Sequence, residues 1–286
     1  MEKIRNALKL VKACWKVLML DKELLLFPVM SMAVQASLLM SVLFQFGFFY
    51  DFEWAIENLI GTLETTQEWV LVLYAFLSYF VAYFVIIFFN AAMIACVKIR
   101  FAGGDPTVID GLRFSITRLP QILVWATVAA TVGFILEQFE KKSEGIFSFF
   151  LRFLGAAWGV ATYFVVPVLV SENIGPISAI ERSVSIIRRT WGEALASVIG
   201  LSVLAGGSFL IAFLIFFLAI FLSDYSLKVT AAMGIGAIAF GLVSGLVFTT
   251  LGAILKAALY TYAVDGKIPD QFDNDLIENA FSKKEK

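Results

Sequence analysis

Six long apolar runs alternate with polar segments along the chain, at residues 24–49, 69–97, 119–136, 146–170, 194–222 and 229–255. About 20 apolar residues in helical form span the hydrocarbon core of a bilayer. Each run except the third exceeds that length; residues 119–136 number only 18 and the fourth run carries Arg152 near its start. The expected fold is all-α, an integral membrane bundle of six transmembrane helices. The alternative is five spans with the third run re-entrant.

Between the runs the apolar period changes to that of amphipathic helices. Ile4, Leu8, Val11, Trp15 and Leu18 recur at steps of three and four, beside a basic stripe of Arg5, Lys9, Lys12 and Lys16. A second such segment carries Ile109, Leu112, Ile116 and Leu119, opened by Pro106. A third carries Ile177, Ile180, Val184, Ile187 and Trp191, with Glu181, Arg182, Ser185, Arg188 and Arg189 around the rest and Pro176 as its first residue. The second and third align without gaps from Thr107 and Ser178, and Ile4 to Trp15 repeats the spacing of Ile180 to Trp191; Pro120 replaces that tryptophan in the second. The chain thus reads as a single membrane domain of three units, about 1–97, 105–170 and 174–264, followed by a tail at 265–286. Each unit is an interfacial helix followed by a transmembrane hairpin.

Such a helix can lie in the headgroup plane, drawn to anionic lipid, or pack against the protein's own helix ends. The sequence pattern is the same for both. The segment between the first two runs also has a helical face, Phe52, Ile56, Leu59 and Leu63, and holds Asp51, Glu53, Glu57, Glu64 and Glu68 with no base. A solvated outer face is the expected use.

Charge fixes a direction. Eighteen of the 22 Lys and Arg residues lie in residues 1–23, 98–118, 171–193 and the tail from Lys256; the others are Lys141, Lys142, Arg152 and Lys228. Positive charge is retained in the cytoplasm on insertion, so both termini are expected to be cytoplasmic. The long first apolar run and the helical pattern before it do not fit a cleaved signal peptide.

Composition narrows the chemistry. The chain is 60% hydrophobic and 16% charged, outside the soluble range. A net charge of −1 argues against a nucleic-acid partner. Without histidine, the commonest general base and metal ligand is missing. Cys14 and Cys96 fall on the expected cytoplasmic side, where thiols stay reduced. No P-loop, dinucleotide motif, metal spacing or nucleophile elbow is present, so no cofactor, metal or catalytic residue is expected. Within the spans the polar positions are Gln35, Gln45 and Asn90, a polar pathway or interhelical glue. Pro167 is expected to bend the fourth span near its inner end. In the last span Ala237, Gly241, Gly245 and Thr249 form a small-residue ridge that suits close helix packing, within the chain or across a symmetric oligomer, with Gly206 and Gly207 as an opposing surface.

Three stretches resemble a prokaryotic family of multi-pass membrane proteins classified only as a domain of unknown function. They are Cys14-Trp15-Lys16-Val17-Leu18 with Asp21 to Pro28, Val166-Pro167-Val168-Leu169-Val170 with Gly175-Pro176-Ile177 and Ser183 to Gly192, and Ala258-Leu259-Tyr260 with Tyr262-Ala263, Gly266, Ile268-Pro269 and Phe272-Asp273. The second is similar, more distantly, to the membrane domain attached to some glycerophosphodiester phosphodiesterases. The resemblance implies an inner-membrane, non-enzymatic protein and brings no catalytic residues. The expected function is a structural or membrane-organising, lipid-interacting protein able to form a homo-oligomer; the alternative is a transporter or channel for a small or amphipathic solute.

Overall fold

A computed structural model describes residues 2–190, 193–222, 227–266, 269, 270 and 272. Among these the chain is helical with no strands: α1 (Glu2–Leu20), a 3-10 turn (Lys22–Leu25), α2 (Leu26–Gln45), α3 (Phe52–Thr65), α4 (Glu68–Phe101), α5 (Val108–Thr117), α6 (Leu119–Lys141), α7 (Gly145–Ala161), α8 (Val165–Ser171), α9 (Pro176–Thr190), α10 (Glu193–Phe221) and α11 (Leu227–Asp265). Six helical segments are long and apolar enough to cross a membrane: Lys22–Gln45, Glu68–Phe101, Leu119–Lys141, Gly145–Ser171, Gly200–Phe221 and Lys228–Asp265. The chain is a multi-pass membrane protein. The third run is one continuous helix of 23 residues, about 35 Å at helical rise, which suits a full crossing and not a re-entrant loop.

Several boundaries differ from the apolar runs for identifiable reasons. The first span stops at Gln45, four residues early, because Gly47 takes a φ of +81° and turns the chain into α3. Trp54 packs where a Cβ on Gly47 would stand. The last span continues ten residues past Leu255, since Ala257, Ala258, Leu259 and Tyr260 are all buried and keep the helix paired to protein. In the fourth span the helix is interrupted at residues 162–164, in the turn before Pro167, whose ring and missing N–H disfavour a helical bond to the carbonyl of Tyr163. Pro167, which has no N–H, sits in the first turn of α8, where that donor would be unpaired in any case.

The chain divides into two compact units. The first comprises Met1–Pro28, Met93–Val108 and Ser185–Lys286; the second comprises Val29–Ala92 and Ile109–Val184. In the first, α10 and α11 form an antiparallel pair on which α1 packs. Gly241 faces the Ala212 Cβ at 3.6 Å, Gly245 faces the Phe209 ring at 3.3 Å and Gly252 faces Leu201 at 3.8 Å, measured from ideal Cβ positions. Gly206 and Gly207 meet nothing within 4 Å, so the opposing surface is Leu201, Phe209 and Ala212 instead. Ala237 is buried, but Thr249 is exposed and Thr250 takes the inward position, donating to the Leu246 carbonyl at 2.8 Å. The ridge is used inside the chain.

In the second unit Trp125 of α6 lies 6.2 Å from Trp158 of α7, ring centre to ring centre. Gly133 leaves room for the Tyr79 ring, whose hydroxyl donates to Tyr83 at 3.2 Å. Phe134 meets Phe76 and Tyr79 edge-on.

Candidate functional site

The short amphipathic helices bury only part of the face that their large side chains mark. On α1 the buried stripe is Leu10, Ala13, Cys14, Val17 and Leu18; Val11 is half-buried and Trp15 is exposed. On α5 the buried residues are Gly111 and Ser115 (0% exposed), whereas Ile109 and Ile116 are 66% and 60% exposed. On α9 Ala179, Ser183, Ile186 and Ile187 are buried and Ile177 is 71% exposed. The outer helix α3 buries Ala55 and leaves Phe52, Ile56 and Leu63 exposed. Small side chains let backbones approach, and several large aliphatic ones are left exposed.

Two buried serines show how close that approach is. Ser115 Oγ donates to the Phe88 carbonyl at 3.1 Å, tying α5 to α4. The Phe164 amide, freed by the break between α7 and α8, donates to Ser183 Oγ at 3.1 Å. A backbone donor in a membrane core needs a partner inside the protein, and α9 supplies it. These contacts are tertiary docking, so the serines are not surface polar positions.

On α1 the opposite face stays open. Lys9, Lys12, Trp15 and Lys16 are all exposed, so the helix is buried on one side and basic on the other. The Arg5 side chain lies outside the described residues, as do the Arg189 side chain and Trp191. Arg188 is exposed. Arg182 is not a free lipid contact: its Nε donates to both Glu172 oxygens, at 2.9 and 3.0 Å, closing the loop between α8 and α9.

The end of the first unit carries a charged cluster that periodicity did not reveal. Arg100 in the last turn of α4 donates through Nε to Asp21 Oδ2 at 2.6 Å and through Nη2 to both Asp21 Oδ1 and Asp105 Oδ1. Asp21 is buried and Asp105 exposed. Phe272 is buried and meets Phe101 edge-on at 6.0 Å. Gly266 ends α11 with a φ of +64°. The rest of the tail, with Leu276, Ile277, Asn279, Phe281 and the last lysines, lies outside the described residues.

Residues 69–269 match a family of unknown function, DUF6159. The chain belongs to that family. The matched segment takes in Arg100, Asp105, Ser115, Ser183 and the α10–α11 pair, whereas Asp21 and the basic face of α1 precede it. No curated protein matches the chain.

The polar span residues do not gather into one lining. Gln35 donates to Ser31 Oγ of its own helix at 3.4 Å, and Gln45 is exposed. Asn90 is different: its Oδ1 is buried without a hydrogen-bond partner, as is Gln121 Oε1 in the same unit. Among the described residues no group of three or more Cys, Asp or Glu could hold a metal ion. Burial pushes the Cys14 thiol far above its usual range, which removes it as a nucleophile.

Proposed function

We propose that this chain is a non-enzymatic, lipid-interacting protein that organises the membrane around it, with both termini on the cytoplasmic side of an inner membrane. The observation that carries the reading is α1: one face buried on α10 and α11, the other presenting Lys9, Lys12, Lys16 and Trp15 outward. A lysine face beside an exposed indole, fixed to a membrane bundle, suits the headgroup layer of an anionic leaflet, where each cation contributes about 1 kcal/mol. The large side chains that the short helices leave exposed, Trp15 on α1, Ile109 and Ile116 on α5 and Ile177 on α9, fit the same role, and the threefold interfacial-helix organisation belongs to this proposal. So does the likeness of residues 166–192 to the membrane domain of some glycerophosphodiester phosphodiesterases.

The test is thermal unfolding of the full chain in detergent with added phosphatidylglycerol or phosphatidylcholine. Phosphatidylglycerol is expected to raise the midpoint more, and the triple variant Lys9→Gln, Lys12→Gln, Lys16→Gln to lose most of that difference. Equal effects of the two lipids on the unaltered chain would defeat the reading.

A second reading, a pathway for a small solute, is favoured by the unpartnered carbonyl oxygens of Asn90 and Gln121. As structural residues they are costly, and Asn90→Leu should leave stability unchanged or raise it by about 1 kcal/mol. A solute flux in proteoliposomes that Asn90→Leu abolishes without loss of folding would choose the pathway instead.

A further inference from the structure

In the first unit a cavity of about 560 Å³ opens where the last turn of α4 meets the end of α11, lined by Lys98, Phe101, Thr261, Asp265, Pro269 and Asp270 among others. We propose that it receives an aminoalkyl phosphate, a primary ammonium joined by a short methylene link to a phosphate ester, as in the ethanolamine headgroup of a phospholipid.

Four observations converge on a ligand carrying both signs. Asp265 and Asp270 supply two carboxylates, and both α4 and α11 end at this cavity with their carbonyl ends, so the wall is negative and suits an ammonium. Lys98 supplies an opposing cation. Its ammonium sits 5.5 Å from the centre of the Tyr260 ring, which places a positive charge at the cavity wall. Thr261 Oγ1 is buried without a hydrogen-bond partner. Helical threonines ordinarily donate to the carbonyl four residues earlier, and here Thr62, Thr65, Thr127 and Thr250 all do. Thr261 does not, which leaves a donor at the cavity for a phosphate oxygen.

Apolar surface and depth agree with this ligand. Phe101, held edge-on by Phe272, and the buried Pro269 offer a wall for methylene groups. The cavity lies at the ends of two segments long and apolar enough to cross a membrane, Glu68–Phe101 and Lys228–Asp265, on the polar side of the hydrocarbon that they would span. A carboxylate pair separates ethanolamine from choline chemistry, because a primary ammonium donates hydrogen bonds and a trimethylammonium cannot.

This inference shares with the proposed function only the premise of lipid contact; its residues are not those of α1. The full chain in detergent is titrated with phosphatidylethanolamine, phosphatidylcholine and phosphatidylglycerol, and separately with soluble phosphoethanolamine, reading the unfolding midpoint and, by native mass spectrometry, the bound species. Phosphatidylethanolamine is expected to bind about tenfold more tightly than phosphatidylcholine. The double variant Asp265→Asn, Asp270→Asn, both exposed positions, should erase that preference, and Thr261→Val should weaken binding of the same lipid. A midpoint shift from soluble phosphoethanolamine as large as that from the lipid assigns a soluble ligand to the same chemistry; a shift from the lipid alone assigns the headgroup. No discrimination between ethanolamine and choline lipids overturns the proposal, as does a preference that survives the Asp265, Asp270 double variant. The triple lysine variant of α1 should retain it; loss there would trace the preference to α1 and also overturn the cavity assignment.

Discussion

Asp21 and Arg100 stand 79 residues apart in sequence and meet as a two-pronged pair in the structure. Arginine against carboxylate in this fork geometry is the strong form of an ion pair. Asp105 touches the same guanidinium from solvent, where a pair contributes little. Asp21→Ala is therefore expected to cost roughly 3–5 kcal/mol, because it leaves a half-enclosed charge without its buried partner, and Asp105→Ala less than about 1 kcal/mol; denaturation midpoints of the two variants check the ranking. The other residue-scale prediction concerns Cys14. Its thiol stays protonated in the folded chain, while an unfolded cysteine ionises near about pH 8.5. The native state thus holds a proton that the unfolded state releases above that pH, so this group's contribution to stability is present below it and declines as pH rises. In a Cys96→Ser background Cys14 should resist a maleimide at pH 7 and at pH 9 until the protein is denatured. Rapid native labelling would mean that α1 does not bury this face.

At the scale of elements, the α10–α11 pair is decided by which glycines have neighbours. Gly245 lies under the Phe209 ring, so Gly245→Leu should part the helices and cost about 2–3 kcal/mol by overpacking. Gly206→Ala meets nothing and removes a flexible helical residue, so it should stabilise by about 0.5–1 kcal/mol. Thermal midpoints in one detergent test the contrast, and equal effects would remove the ridge from the packing. Both glycine clusters look alike in sequence; only the rotation of α10 about its axis distinguishes them. On α1, α5 and α9 the expected and observed faces agree only in part: Leu18 and Ile187 are buried, whereas Trp15, Ile109, Ile116 and Ile177 are exposed. Marking a core by its largest side chains picks out Ile109 and Ile177, which are exposed, and passes over Ser115 and Ala179, which are fully buried at close contacts.

For the whole molecule, topology is the property to test: an even number of crossings puts both ends of a chain on one side of the membrane. The distribution of lysine and arginine predicts which side is which. A cysteine at Glu57 in a chain lacking both native cysteines should label in intact cells with a reagent that cannot cross the membrane, and one at Lys9 should label only after the cells are opened. The reverse pattern would invert the topology and detach the basic face of α1 from the cytoplasmic leaflet.

The sequence by itself determined the six apolar helices long enough to cross a membrane; the turn at Gly47, which ends the first of them four residues short of its apolar run, is local as well but came only with the structure. Those features follow from local causes: apolar length matched to a bilayer, and backbone conformations that glycine alone adopts readily. The tertiary structure decided which face of each short helix docks, which glycines touch, that Arg100 reaches Asp21, and that Ser183 receives the amide freed at Phe164. Each of these depends on residues distant in sequence arriving at a common place. In a chain that is apolar inside and outside alike, hydrophobic periodicity carries no record of that meeting.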